Sequence, residues 1–307
     1  MPRKMITIAS ILFAAILFLW ICYPSEAYVG IGFSSPSPRI IAMGGAYVAV
    51  ADDANAVFLN PAGLGRNQND GISIGYGSLL VNRKEYYYAG LLRIGNFGYI
   101  GTGYRLDKID NLSFSVPVTT ESAQDLNDDI AISYGFKALD SLLIGLKFHR
   151  ISEQIDAINY KGDAYGLSMG LLLHPINQLS IGTLFENIIN TNYKYSNGVE
   201  SKIYPNVVLG LSYQSIDNRS ILATDLNVKN IGNNAELQSA SIGAEIRIFT
   251  NLSFRAGYLS SKDNNYQATG SAGLGINILN NLQIDIAVQH TGERKYVPQY
   301  FSIGYRF

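Results

Sequence analysis

Three histidines, one cysteine, two glycine-rich runs and a pair of adjacent acids are the residues with chemical potential in this chain. His149, His174 and His290 stand apart from one another without metal-ligand spacing, so no metal site and no cofactor is expected. Gly95 to Gly103 (GNFGYIGTG) and Gly270 to Gly275 (GSAGLG) have the glycine content of phosphate-binding loops. Neither leads from a strand into a helix, as a phosphate cradle requires, and both read as strand glycines. Serines are plentiful, but none is set against a histidine as a nucleophile, and no catalytic residue is assigned. The chain reads as a non-enzyme.

The acids that remain, Asp52 and Asp53, belong to a stretch that breaks the pattern on both sides of it: RIIAMGGAYVAVADDANAVFLNPAGLG, Arg39 to Gly65. Gly44-Gly45 opens backbone conformations closed to other residues. Ala46, Ala49, Ala51, Ala54 and Ala56 allow close packing. Asp52 or Asp53 is suited to cap a short helical turn through Val57, and Asn60-Pro61-Ala62-Gly63 repeats the signal, with Asn60 as cap and Pro61 at the first helical position. Gly63 and Gly65 end that turn. Two readings fit: a compact plug enclosed by the rest of the chain, or a loop-helix decoration that serves stability alone.

What would enclose such a plug begins at Gly71. Segments of about ten residues alternate in hydrophobicity from there, as the strands of a membrane barrel do. Strands are expected near 71–80, 84–94, 97–107, 128–138, 141–152, 163–173, 178–188, 204–213, 220–230, 237–249, 252–260, 268–279, 282–291 and 297–307. Leu282, Ile284, Ile286 and Val288 face lipid, and Gln283, Asp285, Ala287 and Gln289 face the lumen. Ile242, Ala244, Ile246 and Ile248 oppose Ser241, Gly243, Glu245 and Arg247 in the same way. Connections after even strands are tight, such as Leu139-Asp140 and Thr250-Asn251. Those after odd strands include long pieces at Lys108 to Asn127 and Ile189 to Ile203, an asymmetry that puts both termini in the periplasm. The fold expected is an all-β, 14-stranded antiparallel transmembrane barrel with a small N-terminal plug in its lumen.

Composition agrees. Charged residues make up 15% of the chain, Tyr numbers 21 and Gly 30, and mean hydropathy is +0.08, the near-zero average that alternation produces. Net charge is −1, with no basic excess for nucleic acid. Met1 to Ala27 reads as a cleaved signal peptide, with Arg3 and Lys4, an apolar core and a Ser25-Glu26-Ala27 cleavage site, and Cys22 would leave with it. The domain division is then 1–27 signal, 28–70 plug and 71–307 barrel.

The inward positions are small: Gly75, Gly77, Gly101, Gly103, Gly135, Gly145, Gly166, Gly170, Gly182, Gly210, Gly243, Gly257, Gly273, Gly275 and Gly304. Either another piece of chain lies against this wall, or the glycines serve strand bending and curvature. Charges assigned inward, namely Arg93, Arg105, Lys137, Lys147, Glu186, Asp225, Lys229, Glu245, Arg247, Arg255 and Asp285, are mixed in sign. They are expected to pair with one another or with Asp52 and Asp53.

The run Met43 to Ala49 (MGGAYVA), then Ala51 to Ala54 (ADDA), then Asn60 to Leu64 (NPAGL) resembles the N-terminal signature of FadL-like outer-membrane proteins, most closely the PorV/PorQ branch. The last strand, with Phe301, Ile303, Tyr305 and terminal Phe307 at alternate positions, resembles the C-terminal signal by which barrel-assembly machinery recognises its clients. The resemblance implies a channel or binding protein for small hydrophobic compounds in a Gram-negative outer membrane. It also implies, as an alternative, an accessory component of type IX secretion that handles a secreted protein at the cell surface. A structural porin-like protein is the third reading. Partners expected are outer-membrane lipid, the assembly machinery, and a hydrophobic small molecule or secreted protein.

Overall fold

The computed structural model describes residues 37–66, 70–80, 82–113, 122–155, 160–189, 191–262, 268–278, 281–291 and 297–307. The signal-peptide reading, Cys22 and the first residues of the expected plug lie outside them. Among the described residues sixteen strands follow one another: β1 (Gly71–Leu80), β2 (Arg83–Arg93), β3 (Tyr99–Ser113), β4 (Ser122–Leu139), β5 (Leu142–Ile155), β6 (Tyr160–Ile176), β7 (Leu179–Glu186) and β8 (Thr191–Tyr195). Then come β9 (Glu200–Ile203), β10 (Asn206–Gln214), β11 (Ser220–Lys229), β12 (Glu236–Phe249), β13 (Leu252–Ser261), β14 (Ala268–Ile278), β15 (Leu282–Thr291) and β16 (Gln299–Arg306).

Fourteen of these form a closed antiparallel barrel, each bonded to its chain neighbour, with β7 passing to β10 and β16 returning to β1 from Gly71↔Arg306 to Ser78↔Gln299. Closure pairs β1 with β16, so neither end of the barrel's sheet is left as a free edge. The period-2 pattern decides which way each side chain points. On β15, Ile286 and Val288 lie on the outside while Asp285 and Ala287 are buried within. On β12, Ile242 is outside and Glu245 inside. At the C-terminus Phe301, Ile303, Tyr305 and Phe307 all face out, Tyr300 and Ser302 face in, and the Phe307 amide donates to the Asp70 carbonyl at 2.9 Å, tying the chain's end to the barrel's start.

Two expectations about the long connections are corrected. Lys108 to Asn127 is not simply loop, because β3 and β4 continue as a paired ladder to Ser113↔Ser122. Ile189 to Ile203 contains the hairpin β8–β9, which joins β6 at Gly162↔Tyr195 and Asp163↔Lys194 and through the Ser196 amide on the Lys161 carbonyl (2.7 Å). Beyond the membrane nothing forces alternation of greasy and polar side chains, so these extensions carry no period-2 signature.

Candidate functional site

Residues 37–66 lie inside the barrel, and nearly all of them are buried. The segment opens with helix α1 (Pro38–Ala42), started by Pro38, and turns at Gly44 (φ +66°) and Gly45 (φ +91°). A Cβ on Gly44 would sit 2.5 Å from the Tyr258 backbone nitrogen, so φ and proximity both demand glycine there. Helix α2 (Ala56–Leu59) and a 3-10 turn (Pro61–Gly65) follow. Asn60 Oδ1 accepts from the Ala62 amide at 3.2 Å, with Pro61 first in the turn. Asp53 caps the turn that leads into α2 and through Val57: its Oδ1 accepts from the Asn55 amide two residues on, at 2.8 Å, and its carbonyl accepts from the Ala56 amide at 3.0 Å.

The segment makes a circuit of the wall. Gly273 meets Ala42, Gly243 and Gly257 meet Met43, Gly182 and Gly210 meet Val48 and Ala49, Gly101 and Gly103 meet Val57, and Gly135, Gly145 and Gly170 meet Pro61. Polar clamps fix it along the way. Asp225 Oδ2 accepts the amides of Tyr47 and Val48 at 2.7 and 2.8 Å, and Lys147 donates to the Phe58 carbonyl at 2.7 Å. Asn60 Nδ2 donates to the Val48 carbonyl at 2.7 Å, bridging two passes of the segment. Close packing, together with these bonds to its peptide groups, holds the irregular backbone in such an interior. Gly75, Gly77, Gly166, Gly275 and Gly304 meet other wall residues instead.

The electrostatic centre is Arg39, to which the sequence reading gave no role. Its guanidinium binds Asp52, Asp53 (2.9 Å) and Glu245 (2.9 Å); Glu245 accepts from Arg255 (2.6 Å), and Arg255 reaches Asp285 (2.5 Å). Of the two pairings expected for the inward charges, the one with each other holds for Glu245, Arg255 and Asp285, whereas Asp52 and Asp53 pair within the segment, and Arg39 links them to the wall. Burial alone would raise the Asp53 carboxyl, but Arg39, the Tyr47 hydroxyl (2.8 Å) and the Asn55 amide outweigh it and hold its pKa below the ordinary range. Burial opposes the Arg39 charge too, and Asp52, Glu245 and Asp53 more than offset it.

Of the other inward charges, Arg105 pairs with Asp129, and Lys147 lies 3.5 Å from Glu186. Arg93, Lys137 and Arg247 are exposed at strand ends, where the wall no longer encloses them, and Lys137 pairs with Asp140 at 2.8 Å. His149 contacts Asn187 Oδ1 at 3.1 Å, and His174 lies beside Ser180 at 2.8 Å. Among the described residues no group of three or more His, Cys, Asp or Glu side chains is placed to hold a metal. A cavity of about 270 Å³ lies at the end of the barrel where the tight turns are, between the segment (Arg39, Asp52 to Asn55) and β1, β15 and β16.

A closed 14-strand antiparallel barrel with residues 37–66 packed inside it is the class of fold this chain adopts. Solved structures share it: the Ralstonia pickettii toluene transporter TbuX (15% identity, TM-score 0.63, covering 88% of this chain and 98% of that one) and the Pseudomonas putida toluene transporter TodX (13%, 0.64, 92% and 98%). A Pseudomonas aeruginosa FadL homologue matches likewise (11%, 0.63, 91% and 100%). At these identities the likeness is one of fold. No family model and no curated protein matches the sequence.

Proposed function

We propose that the chain is an outer-membrane channel of FadL type for small hydrophobic compounds, with residues 28–70 as its plug, 71–307 as its barrel and both termini in the periplasm. The observation that carries this reading is a seam in the wall. β6 is bonded to β5 from Tyr160 to Leu173, but to β7 only at Met169–Leu173 and Ile176. Along Ala164–Ser168 its other edge receives the Ile188 amide on the Leu167 carbonyl (2.8 Å), and the ladder resumes with β8 at Asp163. With the lumen occupied, a greasy solute has no axial route, and a weakened ladder at the outer rim offers a sideways one into lipid. The fold likeness to toluene transporters supports the same solute class. Phe301, Ile303, Tyr305 and Phe307, all facing out, are proposed as the signal read by the assembly machinery.

The type IX accessory reading draws on the Met43–Leu64 motifs and makes a different prediction. Native mass spectrometry of the purified protein is expected to release a small hydrophobic molecule, and cells producing it to take up toluene faster than cells carrying an empty vector. A co-purified secreted polypeptide with no gain in toluene uptake would replace the channel reading with the secretion one. Neither result would leave the structural porin-like role.

A further inference from the structure

We propose that the cavity at the turn end of the barrel is a binding site for a small primary amine in its ammonium form, held by Asp52 and Asn55 with its apolar part against Ala54 and Leu91. All four residues line that cavity. The site stands apart from the β6–β7 seam, because its walls are the inner segment, β1, β15 and β16 with Leu91 of β2. It therefore neither needs nor supports the hydrophobic route. Its volume of about 270 Å³ is about nine times the share of one water in the liquid, room enough for an aromatic ring that carries an aminomethyl group.

Which ligand suits the cavity is decided by the hydrogen-bonding groups already taken. A guanidinium has five N–H donors, and Arg39 uses all of them: Nε on Glu245, Nη1 on Asp52 and Asp53, and Nη2 on Asp52 and Glu245. Arg306, the other lining cation, is exposed and donates to Gln283 Oε1 at 3.3 Å. An anion would meet a buried guanidinium with no donor left. The acceptors differ. Asn55 is 4% exposed, and its Oδ1 is buried without a hydrogen-bond partner. Its side-chain nitrogen donates to Asp53 Oδ1 at 2.9 Å, which fixes the amide's orientation and leaves the oxygen as the unmet end. A buried acceptor in that state is destabilising until a donor reaches it. Asp53 is filled, with Oδ1 accepting from the Tyr47 hydroxyl and from Asn55 twice, and Oδ2 from Arg39. Asp52 accepts from Arg39 alone among the described residues, and its side chain is 30% exposed against 18% for Asp53 and 7% for Glu245. Each of its oxygens keeps a second acceptor site. An ammonium group brings three donors, a positive charge and no acceptor, which fits a free amide oxygen beside an open carboxylate. A metal ion does not, since no three His, Cys, Asp or Glu side chains among the described residues are grouped to hold one.

Isothermal titration calorimetry of the full chain in detergent, with benzylamine at neutral pH as the probe, tests this. Saturable binding of one benzylamine per chain is expected, undisturbed by toluene or benzoate, which keep the ring and lack the ammonium. Benzyltrimethylammonium keeps the charge but has no N–H to give, and is expected to bind at least tenfold more weakly; that comparison is made on the wild-type chain and depends on no variant folding. Asn55→Ala and Asp52→Asn are each expected to weaken benzylamine binding at least tenfold, read on whichever gives the heat-modifiable gel band of a folded barrel. Asp217→Asn removes an exposed acid from the turn between β10 and β11 and is expected to change nothing. Absence of saturable benzylamine binding, equal binding of benzyltrimethylammonium, displacement by toluene or benzoate, or wild-type affinity in a folded Asn55→Ala or Asp52→Asn chain overturns the proposal.

Discussion

Arg39 is held by three carboxylates at once, so its removal leaves the partly buried Asp52 and Asp53 and the buried Glu245 without their shared counter-ion. Arg39→Ala is expected to destabilise the folded barrel by about 3–5 kcal/mol, the usual cost of breaking a buried pair from one side. Arg39→Lys should recover only part, because a point charge cannot reproduce the fork that reaches all three partners. Unfolding in detergent, followed by gel mobility, measures both, and an unchanged Arg39→Ala midpoint would contradict the assignment. Asp53 adds a pH dependence. Its folded pKa lies below that of the unfolded chain, so its stabilisation is complete above the ordinary aspartate range and is lost as pH falls through the folded value. The stability gap between wild type and Asp53→Asn should therefore be flat near neutrality and shrink only in acid. At this scale the sequence showed which residues face inward but not whom they meet: Arg39 and Glu245 are 206 positions apart. An arginine placed just ahead of two acids, in a stretch otherwise small and apolar, was the available signal.

Strands and inner segment are fitted backbone to backbone, which makes glycine substitutions diagnostic. A Cβ at Gly257 would collide with the Met43 carbonyl group and the Gly44 nitrogen, whereas a Cβ at Gly304 would find its nearest atom at 3.5 Å. Gly257→Val is expected to force the segment off the wall and expose it to protease, and Gly304→Ala to leave digestion unchanged. Equal protection in both variants would show that the segment is not seated as described. The spans of the barrel strands were legible within a few residues, because lipid on one side and a lumen on the other impose a period of two. The β8–β9 hairpin and the continuation of β3 and β4 were not, since outside the membrane that constraint lapses.

For the molecule as a whole, the decisive perturbation is deletion of residues 39–65. A barrel of this strand number is wider than its own wall side chains can fill, so the deleted form is expected to conduct far more than wild type; conductance at the wild-type level would mean the segment does not occlude the lumen. The alternation beyond Gly71, the tight turns and the aromatic C-terminus determined from sequence alone that the chain closes into a membrane barrel, because each is a local response to solvent on the two faces of a strand. The tertiary structure decided the rest. That the inward glycines receive the Arg39–Gly65 stretch, that Asp52 and Asp53 turn to Arg39 and that the wall parts between β6 and β7 all depend on contacts between residues remote in the chain. Local patterning places a side chain on a face, but only the closed barrel brings it within reach of its partner.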